Sequence, residues 1–282
     1  MISFPNAKIN LGLNILSKRA DGFHDISTVM VGVDWCDILE IVPAQGESDK
    51  LVCSGIKVDC PSEKNLVMKA VRGMRELPGV LIPPVEIHLH KNIPDGAGLG
   101  GGSADAAFTI TTLNKLFSLN LSKKEMAGVA ARIGSDCSFF IYDSPMLATG
   151  RGEILVPING LVNKLKDKVI VIVRDHGEAV STAVAYAGVN PRYPDIMPDR
   201  VIEQPMDEWK PRLINDFEES VYEKIPLLQC FKDRMYECGA IYSAMSGSGS
   251  SIFGIFEKEI ANQIDFAGLF PNCYIHVGSF IL

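Results

Sequence analysis

Apolar and polar residues alternate through AKINLGLNIL at 7–16, where Ile9, Leu11, Leu13 and Ile15 fall between Lys8, Asn10, Gly12 and Asn14. A period of two predicts a strand with one buried face. Lys8 and Asn10 then share the opposite face and are expected to point out of the core. A polar turn, SKRADGFHD at 17–25, leads into two more strand patterns, ISTVMVGVDW at 26–35 and DILEIV at 37–42. The period then changes. Leu66, Ala70, Val71, Met74 and Leu77 recur at helical spacing, and Ser62 is placed to cap a helix over 64–77. VEIHLH at 85–90 alternates again. A helix is expected from Ser103 to Leu116, with Ala106, Ile110, Leu113 and Phe117 in register. Ser122 and Glu125 form a capping box for another helix ending near Ile133.

Beyond it, ATGRGE at 148–153 reads as a turn joining the apolar stretch before it to ILVPI. Composition shifts after Pro157, which places a boundary between an N-terminal domain, 1–157, and a C-terminal domain, 158–282. The second part opens with the strand VIVIV at 169–173 and continues through a Pro-rich stretch at 190–200. A helix ends at Gly239, a natural residue just past a helix end. The strands IYSAM, SIFGIF and CYIHVG follow. Strands that mostly hairpin, with helices grouped between them, predict α+β layers in both halves.

Between the strand at 85–90 and the helix at 103 lies PDGAGLGGGSADAA, 94–107, with glycines at 96, 98, 100, 101 and 102. Bare backbone lets main-chain N–H groups approach a ligand, and a helix start adds unpaired donors and positive dipole. An anion is the expected guest. GAGLGG satisfies the dinucleotide pattern G-x-G-x-x-G, but that fold needs the strand to run straight into the turn. Here KNIPD intervenes, and two helices follow instead of a helix and a strand. A Walker loop would need G-K-[ST], and a protein kinase H-R-D and D-F-G; none occurs. A flexible linker rarely separates a strand from a well-patterned helix. The second small-residue loop, SGSGS at 246–250, reads either as a simple turn or as a close backbone contact with the first loop or its ligand.

The chain has 282 residues, 47% of them hydrophobic, and a net charge of −7. That charge argues against a broad nucleic-acid surface. Seven cysteines with no C-x-x-C pair argue against a disulfide framework or zinc site and for reduced thiols acting as small buried hydrophobes. His88 and His90 share a strand face with Glu86, a conceivable metal spacing but more simply a solvated face. No signal peptide or membrane span is expected, so the chain reads as soluble and cytoplasmic. Taken singly, Lys8 could be a surface lysine and Asp136, in GSDCSFF, a turn aspartate.

Taken together, these residues are familiar. The 94–107 segment resembles the phosphate-binding signature of the GHMP small-molecule kinases. PNAKINL at 5–11 followed by RADGFH at 19–24 is similar to the branch acting on a cytidine-diphosphate-linked methylerythritol. IGSD at 133–136, NDFE at 215–218 and SGSGS fall in the order that branch shows, so the resemblance covers nearly the whole chain. It departs at Asp95, usually apolar, at Cys137 and Ser138, often Val-Pro, and at Phe23, commonly tyrosine.

The resemblance implies a two-domain α+β GHMP fold, with an N-terminal nucleotide-binding domain and a ferredoxin-like C-terminal one. It implies transfer from ATP, with Mg²⁺, to the C2 hydroxyl of the substrate. Gly96, Gly98, Gly100, Gly101, Gly102 and Ser103 would cradle the triphosphate, Asn65 and Lys91 would lie near adenine and ribose, and Ser103 is a candidate magnesium ligand. Asp136 would take the hydroxyl proton, with Lys8 offsetting charge and Asn10 reaching the same cleft. Phe23, His24 and Tyr186 would hold the cytosine. The protein is expected as a monomer or weak homodimer without nucleic-acid or membrane partners. A GHMP kinase for another alcohol, such as homoserine or mevalonate, is the nearest rival; Phe23 and His24 argue against it, because such a substrate has no base to stack. A catalytically silent member of the fold is the other rival, and the presence of both Lys8 and Asp136 argues against that.

Overall fold

The computed structural model describes residues 1–58, 60–142, 144–177 and 180–282. Its strands are β1 (Ile2–Ser3), β2 (Asn6–Lys18), β3 (His24–Cys36), β4 (Ile38–Pro43), β5 (Lys50–Gly55), β6 (Val85–Lys91), β7 (Met146–Gly150), β8 (Ile154–Pro157), β9 (Lys168–Asp175), β10 (Tyr242–Met245), β11 (Ile252–Glu257), β12 (Cys273–Gly278) and β13 (Phe280–Ile281). The longer helices are α1 (Leu66–Arg75), α2 (Gly101–Leu116), α3 (Lys123–Ile133), α4 (Phe217–Lys224) and α5 (Pro226–Glu237). No helix among the described residues is long and apolar enough to cross a membrane.

The chain forms two compact units, and each draws on separate stretches. One comprises Met1–Ala7, Trp35–Asp95 and Gly100–Asp143; the other comprises Lys8–Asp34, Gly96–Leu99 and Ser144–Leu282. The sequence suggests a single cut near Pro157. The interleaving arises because β2 and the tip of the glycine loop pack with residues distant in sequence.

In the first unit the sheet order is β1-β4-β6-β5, antiparallel except for the parallel β5–β6 pair. Helix α2 packs on α1, α3 and β4. Val67, Ala70, Val71 and Met74 of α1 are buried, as their spacing predicts. Strand β5 has no counterpart in the sequence pattern: its residues are mostly exposed, so nothing alternates. The first helix begins at Leu66 instead of 64, and its cap is Asn65, whose Oδ1 accepts the Val67 N–H at 3.0 Å. Ser62 starts a separate 3-10 turn. The Ser122–Glu125 capping box is present.

In the second unit, β10-β11-β9-β12 form an antiparallel sheet with α5 packed on β10 and β11. The first of these strands in sequence lies between the third and the fourth, which is a ferredoxin-like order. Val171, Val173, Phe217, Val221, Met235, Ile252 and Phe256 lie in its core. The other sheet runs β13-β3-β7-β8, with β2 paired to β3. None of the seven cysteines is in a disulfide among the described residues. The expectation that they are buried fails, since only Cys137 is, and Cys53, Cys60 and Cys230 are exposed.

Candidate active site

Strand β2 departs from its pattern in the way that matters most. Period-two alternation predicts one exposed face, yet residues 6–15 are buried throughout. Lys8 is 3% exposed and Asn10 is 1%. They do share a face: Lys8 Nζ donates to Asn10 Oδ1 at 2.5 Å. Asn10 Nδ2 donates to Thr28 Oγ1 at 3.0 Å, and Thr28 donates to the Gly12 carbonyl at 2.5 Å. The face is polar but turned inward, so alternation identified the side of the strand and not its solvent.

Lys8 Nζ also donates to the Gly98 carbonyl at 3.1 Å, and the Lys8 N–H to the Leu99 carbonyl at 2.9 Å. A buried ammonium is thus fixed against the glycine loop by charge-assisted bonds. The loop is held from a second direction. Ser246 Oγ donates to the Gly98 carbonyl at 2.9 Å, and the Ser251 N–H to the Ala97 carbonyl at 3.2 Å. Gly98 has φ +75°, and a Cβ there would collide with the Ser246 carbonyl. The two small-residue loops therefore touch, which decides between the two readings of SGSGS.

After the loop, Gly100 (φ 71°) opens α2 with no side-chain cap. The first helical bond to it comes from the Ala104 N–H at 2.9 Å. The N–H groups of Gly101, Gly102 and Ser103 precede the first intrahelical bond and have no acceptor within the helix, and with the dipole they suit a polyphosphate. A Cβ at Gly101 would press on Ile93 Cγ2 at 3.0 Å, whereas one at Gly102 meets only Leu66 Cδ1 at 3.7 Å. Cβ atoms lean toward a helix N-terminus. Gly102→Val should therefore crowd the anion site while sparing the core. We expect nucleotide affinity to fall at least about tenfold with Tm nearly unchanged, because the helix-start donors lose their access; titration calorimetry showing unchanged affinity would refute the cradle. Burial pushes the Cys137 thiol up to about 12, with the Ser103 hydroxyl opposing the rise.

Lys91, expected near the nucleotide, is taken up by two carboxylates. It is 4% exposed and donates to Asp37 Oδ2 and, at 2.6 Å, to Asp105 Oδ2. Asp37 Oδ1 also accepts the N–H groups of Asn92 (2.6 Å) and Ile93 (2.8 Å). This buried triad pins the residues just before the glycine loop and the first turns of α2. Burial opposes the Lys91 charge, but Asp105 and Asp37 outweigh it and hold the ammonium above its usual range. Burial raises the Asp105 carboxyl, Asp37 adds to that, and Lys91 opposes it. Among the described residues, Asp105 Oδ1 has no hydrogen-bond partner. Asn65, also expected near adenine, uses its Oδ1 as the α1 cap. Asp136 is half-buried in a 3-10 turn, Ser135–Ser138, directly after α3; it belongs to the first unit and Lys8 to the second.

His24 and Tyr186 come together, stacked with centroids 4.7 Å apart and planes 16° apart. Tyr186 in turn stands edge-on to Phe217 at 4.8 Å. Burial, with Lys18 adding, lowers the His24 pKa and favours the neutral ring. Phe23 does not join them: it is 54% exposed, with the Arg151 guanidinium 5.0 Å above its ring. The turn carrying both residues is tied by Arg19 to Asp21 and Asp25. Among the described residues no group of three or more His, Cys, Asp and Glu could hold a metal ion; His88 and His90 are exposed, and His88 pairs with Glu86 at 3.2 Å. Arg151, Thr28 and the contacts of Asn215 are absent from the sequence reading, since each acquires its neighbour only through folding.

The chain matches the family of GHMP kinases N terminal domains over residues 65–144 and that of GHMP kinases C terminal domains over 204–267. It is 46% identical over 278 residues to the 4-diphosphocytidyl-2-C-methyl-D-erythritol kinase of Parabacteroides distasonis, covering 99% of both chains. The kinase of the same name from Cytophaga hutchinsonii is 47% identical over 259 residues, covering 92% of this chain and 93% of the relative. A crystal structure of 4-(cytidine 5'-diphospho)-2C-methyl-D-erythritol kinase is similar over 100% of both chains, with TM-score 0.81 and 28% identity.

Proposed function

Since this chain belongs to the GHMP kinases, and among them to the 4-diphosphocytidyl-2-C-methyl-D-erythritol kinases, we propose that Lys8 and Asp136 carry its reaction. The reaction moves the γ-phosphoryl group of ATP to an alcohol of the cytidine-diphosphate-linked methylerythritol, at its C2 hydroxyl, in isoprenoid precursor synthesis. The carrying observation is the Lys8 ammonium hydrogen-bonded to the Gly98 carbonyl at 3.1 Å. A fixed positive charge against that loop supports reading it as the phosphate cradle.

Phosphoryl transfer needs positioning and charge stabilisation more than covalent chemistry. The donors at Gly101, Gly102 and Ser103 hold phosphate oxygens. Asp136 accepts the proton of the attacking hydroxyl, and Lys8 offsets charge on the moving group. The Ser103 hydroxyl is the candidate oxygen ligand for Mg²⁺, which would supply positive charge to the phosphates when bound. The matched segments lie on either side of Pro157, which supports reading 1–157 and 158–282 as the two family domains. A cytoplasm, where the seven free thiols stay reduced, fits this reading.

The His24–Tyr186 stack forms one wall of the cytosine site, and neutral His24 supplies a hydrogen bond to the base edge. Phe23, with Arg151 over it, closes the site from the turn. Cytosine presents an amino donor beside a ring-nitrogen acceptor, and uracil reverses both. A site built for the first leaves polar groups unpaired with the second, so kcat/KM for the uridine-linked analogue should be lower by roughly 100-fold or more. His24→Ala should remove most of that preference, while Tyr186→Ala should weaken both substrates alike. Incubation with ATP and both nucleotide-linked alcohols, homoserine and mevalonate tests the assignment. Equal use of the cytidine and uridine forms, or preference for a simple alcohol, would overturn it.

A further inference from the structure

The NDFE segment at 215–218 has no assigned part in the chemistry. Asn215 is 1% exposed, and its carboxamide is fully committed. Nδ2 donates to the carbonyls of Met245 and Gly247, both at 2.8 Å, and Oδ1 accepts the Phe217 N–H at 3.0 Å. The two carbonyls flank Ser246, the residue whose hydroxyl holds the Gly98 carbonyl at 2.9 Å. That carbonyl is the one Lys8 Nζ contacts. At the other end, the same segment is stitched to β2. Leu13 N–H donates to the Ile214 carbonyl at 2.9 Å and Asp216 N–H to the Leu13 carbonyl at 2.8 Å, while Asp216 Oδ2 accepts the Ile15 N–H at 2.8 Å.

These contacts close a ring: β2, the loop at Gly98, the turn at Ser246, Asn215, and β2 again. Each link is a hydrogen bond of 3.1 Å or less, with Lys8 and Asn215 buried and Gly98 and Asp216 half-buried, and such a connected network is stiff. From it we infer that Asn215 is a positioning residue for ATP, holding the Ser246 turn so that the Gly98 segment sits in register with Lys8. Asn215 acts through Ser246 and touches no reacting atom. The inference rests on the reading of the glycine loop as the phosphate cradle.

The test is Asn215→Asp, which keeps shape but replaces two donors by acceptors facing two carbonyls. We expect KM for ATP to rise about tenfold, as for other residues coupled to a site through a packed network, with KM for the alcohol changed less than about twofold. A merely structural asparagine would lower Tm and the active fraction but leave KM for ATP alone, since KM does not depend on how much enzyme is active. Ser246→Ala removes the next link and serves if the first variant does not fold; it should raise KM for ATP by about threefold, and the double variant should show less than the product of the two effects. Unchanged KM for ATP in these variants, with nucleotide binding lost in Gly102→Val, would overturn the positioning role and leave the cradle standing. Unchanged affinity in Gly102→Val as well would instead remove the cradle.

Discussion

Asp136→Asn lowers kcat by roughly 10²–10⁴, the range for removing a group that accepts a proton in the transition state. The amide keeps the size of the side chain in its 3-10 turn but cannot take the hydroxyl proton. Nucleotide affinity should persist, because the donors of α2 are untouched. Lys8→Met should fall in the same range for a different reason. Its ammonium is buried and bonded to Asn10 Oδ1 and the Gly98 carbonyl, so its removal takes away charge and the donor to Asn10 Oδ1, while the Gly98 carbonyl keeps Ser246 Oγ. Methionine retains the stem volume, which limits the packing loss. Groups that act as a unit are not additive, so the double variant should be little worse than the weaker single one. Steady-state kinetics with both substrates saturating decides the matter. Near-normal turnover in either single variant removes that residue from the mechanism.

Lys91→Met destabilises the fold by about 3–5 kcal/mol, the usual consequence of stranding a buried opposite charge. Two carboxylates, Asp37 and Asp105, face one ammonium, with the Lys91 and Asp105 side chains 5% and 4% exposed and Asp37 fully buried. Removing the lysine leaves both without their cation, although Asp37 keeps two backbone donors. The pH dependence follows from the raised Asp105 carboxyl. Its folded form holds a proton that the unfolded chain releases at ordinary carboxylate pH. Stability from that proton is complete below the ordinary range and is lost as pH rises through the raised value. Lys91→Met should steepen this decline, and Asp105→Asn should flatten it in the wild-type background. Lys91→Met combined with Asp105→Asn should recover part of the loss, since the two sites share one network. Urea unfolding across the pH range measures all three. A Lys91→Met variant within about 1 kcal/mol of wild type would show that the triad contributes little.

Elements whose apolar residues repeat in contact with one core are legible in the sequence. The stripe of α1, the capping box of α3, and the strands β6, β9, β11 and β12 follow from local periodicity and end signals. Strand β5 is not legible, because its residues are mostly exposed and its place depends on parallel pairing with β6. The glycine loop is legible as the place to propose an anion site, since bare backbone before a helix offers many N–H groups. Lys8 and Asn10 are correctly put on one face of β2, because alternation fixes side and not surroundings. What covers that face is a tertiary matter: Thr28 and Gly98 reach it from elsewhere in the chain.

The same limit explains the contacts that local sequence does not reveal. Lys91 precedes the glycine loop, which suggests a ligand contact, but Asp37 and Asp105 capture it, and a partner 54 residues away leaves no local mark. His24 and Tyr186 stack across 162 positions, while Phe23, beside His24, turns to Arg151. The sequence by itself determined the periodic elements, the glycine loop before a helix and the family, because these reside in short-range spacing and backbone chemistry. The tertiary structure alone decided which polar groups are buried, which of them pair, and how the turn at Ser246 sets the loop against Lys8, because hydrogen bonds between distant segments exist only once the chain has folded.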